Sequence, residues 1–193
     1  MRITLLRTTL LLCMLLLLTG CLALRPPSSE VRLGRGATYQ MAAPTPPSEP
    51  VLLTLTIEIQ KNDKPFRFKA YLEAEKDRLV LVGMTPVSSR GFQIVYTKEG
   101  MAYEHLPFYR LPIRPDDLLA LLEMAWWPES KLGTFRHLKV SQPEGDKRQR
   151  RVDKGQRPLI VIDYEDESWP SAVTIRNHAR NYTVVVKVHQ VEK

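Results

Sequence analysis

Few side chains in this sequence are placed to do chemistry. It has two cysteines: Cys13 lies inside an apolar run, and Cys21 stands at its end, directly after Leu18, Thr19 and Gly20. A thiol that follows small residues and an apolar stretch is suited to alkylation into a thioether, because the small neighbours let a bent chain enter a processing enzyme. The four histidines, His105, His137, His178 and His189, fall on different predicted strands without metal-site spacing, so they read as surface or rim residues. Asp163, Glu165, Asp166 and Glu167 form the densest carboxylate group. Paired carboxylates divide acid and base work only where their environments differ, and a run of like charge at a strand end reads better as a solvated hairpin tip. No serine sits in a nucleophile elbow, since Ser168-Trp169-Pro170-Ser171 has the form of a strand-entry turn. Covalent catalysis is not expected, and the chain reads as a non-enzyme.

Cys21 has the surroundings its chemistry requires. Arg2 and Arg7 make a positive start, and residues 10–18 are apolar throughout apart from the soft Cys13 and Met14. That is the layout of an export signal. A transmembrane span needs about 20 apolar residues, whereas this run is closed by Thr19 and Gly20 and soon meets Arg25, Pro26 and Pro27. The tetrad Leu18-Thr19-Gly20-Cys21 matches the bacterial lipobox at all four positions, so residues 1–20 read as a lipoprotein signal peptide and Cys21 as the lipidated first residue. The expected modification is a diacylglycerol thioether plus an N-acyl chain, with no other cofactor. Leu22 is not the aspartate that retains many lipoproteins in the inner membrane, which implies the outer membrane of a Gram-negative host, on the periplasmic face. With Cys13 removed and Cys21 blocked, no disulfide, zinc site or thiol nucleophile is available.

Removing the first 20 of 193 residues leaves 173, enough for one domain with a core, and loss of Arg2 and Arg7 lowers the formal charge from +7 to +5. An exported lipoprotein meets little nucleic acid. Anionic lipid headgroups are the expected counter-charge, unless the positive balance serves solubility alone.

Residues 21–50 carry Pro26, Pro27, Pro44, Pro46, Pro47 and Pro50 and read as an extended tether, with a short strand or helix open for residues 31–41. A folded domain is expected over 51–193. It begins with strict alternation: Val51, Leu53, Leu55, Ile57 and Ile59 face one way, and Thr54, Thr56, Glu58 and Gln60 the other. A polar turn at 61–64 leads to a second alternating strand with Phe66, Phe68, Ala70 and Leu72 inward. Further strands are expected at 78–82, 92–97, 101–105, 135–140, 148–152, 159–164, 172–177 and 182–191, antiparallel where the connections are short. One segment differs. Pro115, Asp116 and Asp117 open a helix that Pro128 ends, with apolar residues on every side except at Glu123. A curved antiparallel sheet wrapped around such a helix would bury it.

Two clusters have double readings. The run Lys147-Arg148-Gln149-Arg150-Arg151 fits phosphate binding, or else an edge strand whose charge discourages sheet association, and the edge reading is slightly favoured. Trp126, Trp127 and Trp169 fit core packing by default, with one of the adjacent pair able to reach a rim.

The order of two alternating strands, then "DRLVLVGMTPVSSRGFQIVY", then "RPDDLLALLEMAWWPESKLG", then "WPSAVTIRNHARNYTVVVKV" resembles the LolB family of outer-membrane lipoprotein receptors and the LolB-like lipoproteins of unknown function. The likeness covers residues 51–193. It implies a mainly β fold with a helical lid: a curved antiparallel sheet forming an incomplete half-barrel, LolA/LolB-like, whose apolar hollow holds acyl chains. From the residues alone, the hollow is filled either by side chains or by a ligand, and the resemblance favours a ligand. Leu118, Leu121, Leu122, Trp126 and Trp127 would then line or cover the cavity. In the LolB pattern the loop matching 83–91 exposes a leucine that enters the membrane, which places Met84, Pro86 and Val87 in a membrane-contact loop here, with Arg90 near headgroups. The expected partners are outer-membrane lipids and an apolar cargo such as a lipoprotein, a phospholipid or a polyene lipid, with a periplasmic carrier as a candidate donor. The competing expectation is a packed structural or assembly lipoprotein that docks to another envelope complex.

The lipobox reading predicts that Cys21→Ala leaves the membrane fraction, detected by fractionation and by loss of labelled-palmitate incorporation. Recovery of the unprocessed variant in the membrane would count against lipid as the sole anchor.

Overall fold

The computed structural model describes residues 29–34, 36–44, 49–62, 64–142 and 148–192. Residues 1–28, on which the expected signal peptide, Cys21 and the start of the expected tether fall, and Lys147 lie outside the described residues. Period-two alternation becomes strand wherever the sequence carries it. In β3 (Val51–Lys61) the residues from Val51 to Ile59 alternate buried and half-buried, and in β4 (Lys64–Glu75) Phe68, Ala70, Leu72 and Ala74 are buried while Arg67, Lys69 and Tyr71 face solvent. β5 (Arg78–Met84), β6 (Arg90–Thr97) and β7 (Gly100–His105) continue the meander. The last strand, β13 (Tyr182–Glu192), returns to pair with β3 along its length, from Tyr182↔Lys61 to Glu192↔Leu52. Beyond it lie β12 (Val173–Asn177), β11 (Arg157–Tyr164), β10 (Gln149–Lys154) and β9 (Lys139–Ser141). The ten strands form one antiparallel sheet in the order β7-β6-β5-β4-β3-β13-β12-β11-β10-β9, curved but not closed into a barrel.

One expected strand divides in two. Residues 135–140 supply both β8 (Thr134–Arg136) and the edge strand β9, and the chain changes sheets at His137, whose φ is +60°. Histidine is among the side chains that tolerate this left-handed conformation best. β10 is therefore not an edge as expected. Its residues 151–153 pair with β9, while Arg150 turns to the helix.

Within the expected tether, the short strand or helix open for residues 31–41 takes the form of strands rather than extended linker. β1 (Glu30–Gly34) and β2 (Ala37–Gln40) form a hairpin, and β2 pairs with β8 in a separate three-stranded sheet. Val31, Leu33, Ala37, Tyr39 and Met41 are buried at alternate positions, so this stretch belongs to the core. Five inward apolar side chains outweigh the extended character of the prolines on either side.

The helix α1 (Pro115–Trp126) starts and stops where its prolines require, with Asp116 and Asp117 in its first turn. Residues 117–127 are all buried. A neighbouring strand and loop satisfy its C-terminal carbonyls. Arg150 donates to Met124 O and, at 2.8 Å, to Trp127 O; Tyr164 donates to Ala125 O at 2.7 Å; and Trp169 donates to Trp126 O at 2.8 Å. These side chains do the work that a basic residue in the last turn would otherwise do. Among the described residues, no helix is long and apolar enough to cross a membrane.

The small sheet and α1 join the inner face of the large sheet in a single apolar core. Replacing Tyr39 by Ala should cost roughly 3–5 kcal/mol, as for other large core side chains, where a solvated tether would show a change within about 0.5 kcal/mol. Urea denaturation followed by tryptophan fluorescence decides between them.

Candidate functional site

Two loops extend from one end of the large sheet. Between β5 and β6, Thr85 N donates to Ser89 O at 2.8 Å and Ser88 N to Thr85 O at 2.9 Å, and the Thr85 and Ser89 hydroxyls share a 2.8 Å bond. Pro86 and Val87 are thus displayed on a hydrogen-bonded tip, Val87 at 83% exposure. Met84 is half-buried at the end of β5, so the tip is Pro86-Val87 and Met84 forms its base. Beside it the connection from β7 to α1 exposes Phe108 at 80%. The two loops are tied together: Leu106 N donates to Gly91 O at 2.9 Å, and Tyr109 Oη donates to Met84 O at 3.0 Å. Tyr109 lies directly over Gly91, where a Cβ would come within 2.8 Å of its ring. The sequence reading missed Phe108. Its signal was an aromatic next to Pro107 just past a strand end, where an inward-facing ring is not required.

A cavity of about 490 Å³ opens at the same end, between the β7–α1 connection, the start of α1 and the β12–β13 turn. Lys61, Arg110, Arg114 and Arg180 line it, with Asp117 as its carboxylate. At the opposite end a second hollow of about 350 Å³ lies among Trp126, Trp127, Trp169, Arg150 and Tyr164. Trp126 donates inward to Ser171 O at 3.0 Å. The carboxylates that looked densest in the sequence are engaged locally: Asp163 accepts from Gln149 and Arg176, and Asp166 accepts from Ser168. Among the described residues no group of His, Cys, Asp or Glu is placed to hold a metal ion.

Leu118, Leu121 and Leu122 have no exposed surface, and neither do Leu55, Ile57 and Ile59 on the strand side. A void large enough to admit water would leave its lining accessible, so these residues border none, and the hollow expected for a ligand is occupied at these points by the helix itself. Trp126 and Trp127 are buried to within 4%.

The helix carries two buried carboxylates, Glu123 among apolar residues and Asp117 beside the cationic cavity. Glu123 accepts from Ala42 N at 3.1 Å through Oε1, while Oε2 is buried without a partner. Burial pushes its carboxyl up to about 7, against a smaller opposing effect of the Tyr39 hydroxyl. Tyr96 Oη donates to Ala42 O at 2.7 Å, so Glu123 and Tyr96 hold the segment leaving β2 from both sides. Asp117 meets Arg180 at 2.6 Å through Oδ2, and its Oδ1 has no partner. Burial outweighs the Arg180 guanidinium and raises its carboxyl to about 6.

The geometry defines a class: an open, one-sided antiparallel sheet with a buried helix in its hollow and two apolar tips at one end. Residues 53–190 match the model of a family described as a protein of unknown function, DUF3261, and the chain belongs to that family. No curated protein matches the sequence. Among solved structures, a putative outer membrane lipoprotein-sorting protein domain from Vibrio parahaemolyticus is similar at 9% identity and a TM-score of 0.47, covering 75% of this chain and 85% of that one. A LolA superfamily protein from Nitrosomonas europaea is similar at 12% identity and a TM-score of 0.43, covering 77% and 88%.

The buried carboxylates make stability depend on pH. Both are held above their ordinary values of 3.8 and 4.5, so the folded state binds protons more readily than the unfolded state. Their contribution is complete below those ordinary values and is lost as pH rises through about 6 and 7. Glu123→Gln should therefore be more stable than the parent by roughly 1–3 kcal/mol at pH 8, with the gain vanishing towards pH 4. Urea midpoints at both pH values check this, and an identical pH dependence in the two proteins would remove Glu123 from the account.

Proposed function

We propose that this protein is an outer-membrane lipoprotein, anchored through Cys21, that receives an apolar molecule from a periplasmic donor and passes it to the membrane without covalent catalysis. Acyl chains of a lipoprotein, a phospholipid and a polyene lipid all fit that description. The observation that carries the reading is the paired display of Val87 and Phe108, at 83% and 80% exposure, on loops fastened to each other and to the sheet. Transfer of a Val or Phe side chain from water to hydrocarbon is worth about 1.5–3 kcal/mol each, so seating both tips in a bilayer supports contact on a preset face. The hollow supports uptake in a specific manner. Its lining is apolar, and α1 occupies it as one short element, so a guest enters as the helix moves aside and α1 acts as a lid. The two incompletely partnered carboxylates lower the cost of that movement at neutral pH.

The filled hollow also supports the second reading, a packed docking lipoprotein whose surface serves another envelope complex. Vesicle transfer separates the two. With the lipidated full chain reconstituted in acceptor vesicles, a pyrene-labelled phospholipid should leave donor vesicles at least about tenfold faster than without protein, and Val87→Glu with Phe108→Glu should remove most of that gain. Transfer at the protein-free rate, with native circular dichroism, would leave the docking reading in place.

A further inference from the structure

We infer that the cavity between the β7–α1 connection, the start of α1 and the β12–β13 turn binds an anionic phosphate ester. The inference deepens the membrane-contact reading and rests on it only for the source of the phosphate. Four permanent cations line the cavity, and local carboxylates engage two of them: Arg114 pairs with Asp116 and Arg180 with Asp117. Neither of the other two forms an ion pair among the described residues, although Asp117 lies within the electrostatic reach of Lys61. Lys61 spends one ammonium proton on Pro112 O at 3.1 Å and keeps two donors, and Arg110 is exposed and forms no ion pair among the described residues. Four cations against one lining carboxylate leave the wall of this concave site positive, and the N–H groups that Lys61 and Arg110 keep free are complementary to a phosphate oxygen pair.

Size and position narrow the ligand. A volume of about 490 Å³ lies in the range of small-molecule sites and suits a phosphate with its glycerol portion, leaving two long acyl chains outside. Arg110 follows Phe108 by two residues, and Tyr109 between them is bonded to Met84 at the base of the other tip. With Phe108 and Val87 among acyl chains, Arg110 stands at headgroup depth, where long basic side chains place their charge. The apolar part of the ligand then lies along the tips and its phosphate enters the cavity. A soluble phosphate ester has the same charge and would use the same donors.

Native mass spectrometry of the lipidated full chain, released from nonionic detergent micelles containing equal amounts of phosphatidylglycerol and phosphatidylcholine, tests this. Phosphatidylglycerol adducts should exceed phosphatidylcholine adducts about tenfold, since only phosphatidylglycerol brings a net negative charge to the basic side chains of the cavity. Arg110→Glu should bring the ratio to about one. Lys76→Glu, an equal charge change in the β4–β5 turn at the far end of the sheet, should leave it unchanged. A separate arm with glycerol phosphate assigns the source: binding abolished by Arg110→Glu assigns the cavity to soluble esters, and no binding assigns it to lipid headgroups. Equal adducts of the two lipids together with no binding of glycerol phosphate would overturn the proposal. So would a preference that survives Arg110→Glu, or one that Lys76→Glu also abolishes. A native preference combined with protein-free transfer rates in the vesicle assay would refute carriage and leave the cavity assignment standing.

Discussion

A sheet with one apolar face must have that face covered before it is stable in water, and every other part of this molecule follows from how the cover is supplied. β3, β4 and β13 are long and turn Leu53, Leu55, Ile57, Leu72, Val184 and Val186 to the same side. Curvature narrows the face without closing it, because β7 and β9 remain unpaired with each other. The remaining concave face is covered by α1 together with the β1–β2 hairpin. A helix that meets protein around most of its circumference cannot be amphipathic in the usual sense, which is why the run from Leu118 to Met124 is nearly continuous in apolar residues.

The strands of the large sheet were legible in the sequence because period-two alternation is a strong local signal. The helix was legible because two prolines and two acids mark its ends. The cover as a whole was not. Val31, Leu33, Ala37, Tyr39 and Met41 alternate as clearly as β3 does, but over five or fewer residues per strand, and the neighbouring prolines pull the reading towards a tether. What makes the hairpin stable is not local: Tyr39 receives Gly133 N at 2.9 Å across 94 residues of sequence, and Phe135 packs on its ring at 4.4 Å. The helical lid is completed by these distant pieces, and at Leu118, Leu121 and Leu122 side chains rather than a ligand fill the hollow.

The candidate site was legible in part for a related reason. Glycines at 83 and 91 marked the β5–β6 loop, and their role is steric: Phe92 lies over Gly83 and Tyr109 over Gly91. Alternation says nothing about Phe108, which lies beyond any strand, and nothing in the spacing of Lys61, Arg110, Arg114 and Arg180 brings them together before β3, β7, α1 and β13 are assembled. The basic run at 148–151 drew attention instead, and Arg150 proved to cap the helix from its C-terminal side. Charge clustered in sequence served the fold, and charge dispersed in sequence formed the cavity.

Both ends of α1 are therefore held by charge, in unequal ways. At its C-terminus the cationic Arg150 meets free carbonyls with help from Tyr164 and Trp169, all arrangements that keep their hydrogen bonds over the whole neutral range. At its N-terminus Asp117 is buried beside the cationic cavity, and in its middle Glu123 is buried among apolar residues, with one oxygen of each unpartnered. Movement of the start of α1 would change the cavity wall that contains Arg114 and Asp117 before it disturbed the tryptophan end. Arg180 bridges the β12–β13 turn to the first turn of the helix, so the cationic cavity and the start of α1 share one ion pair.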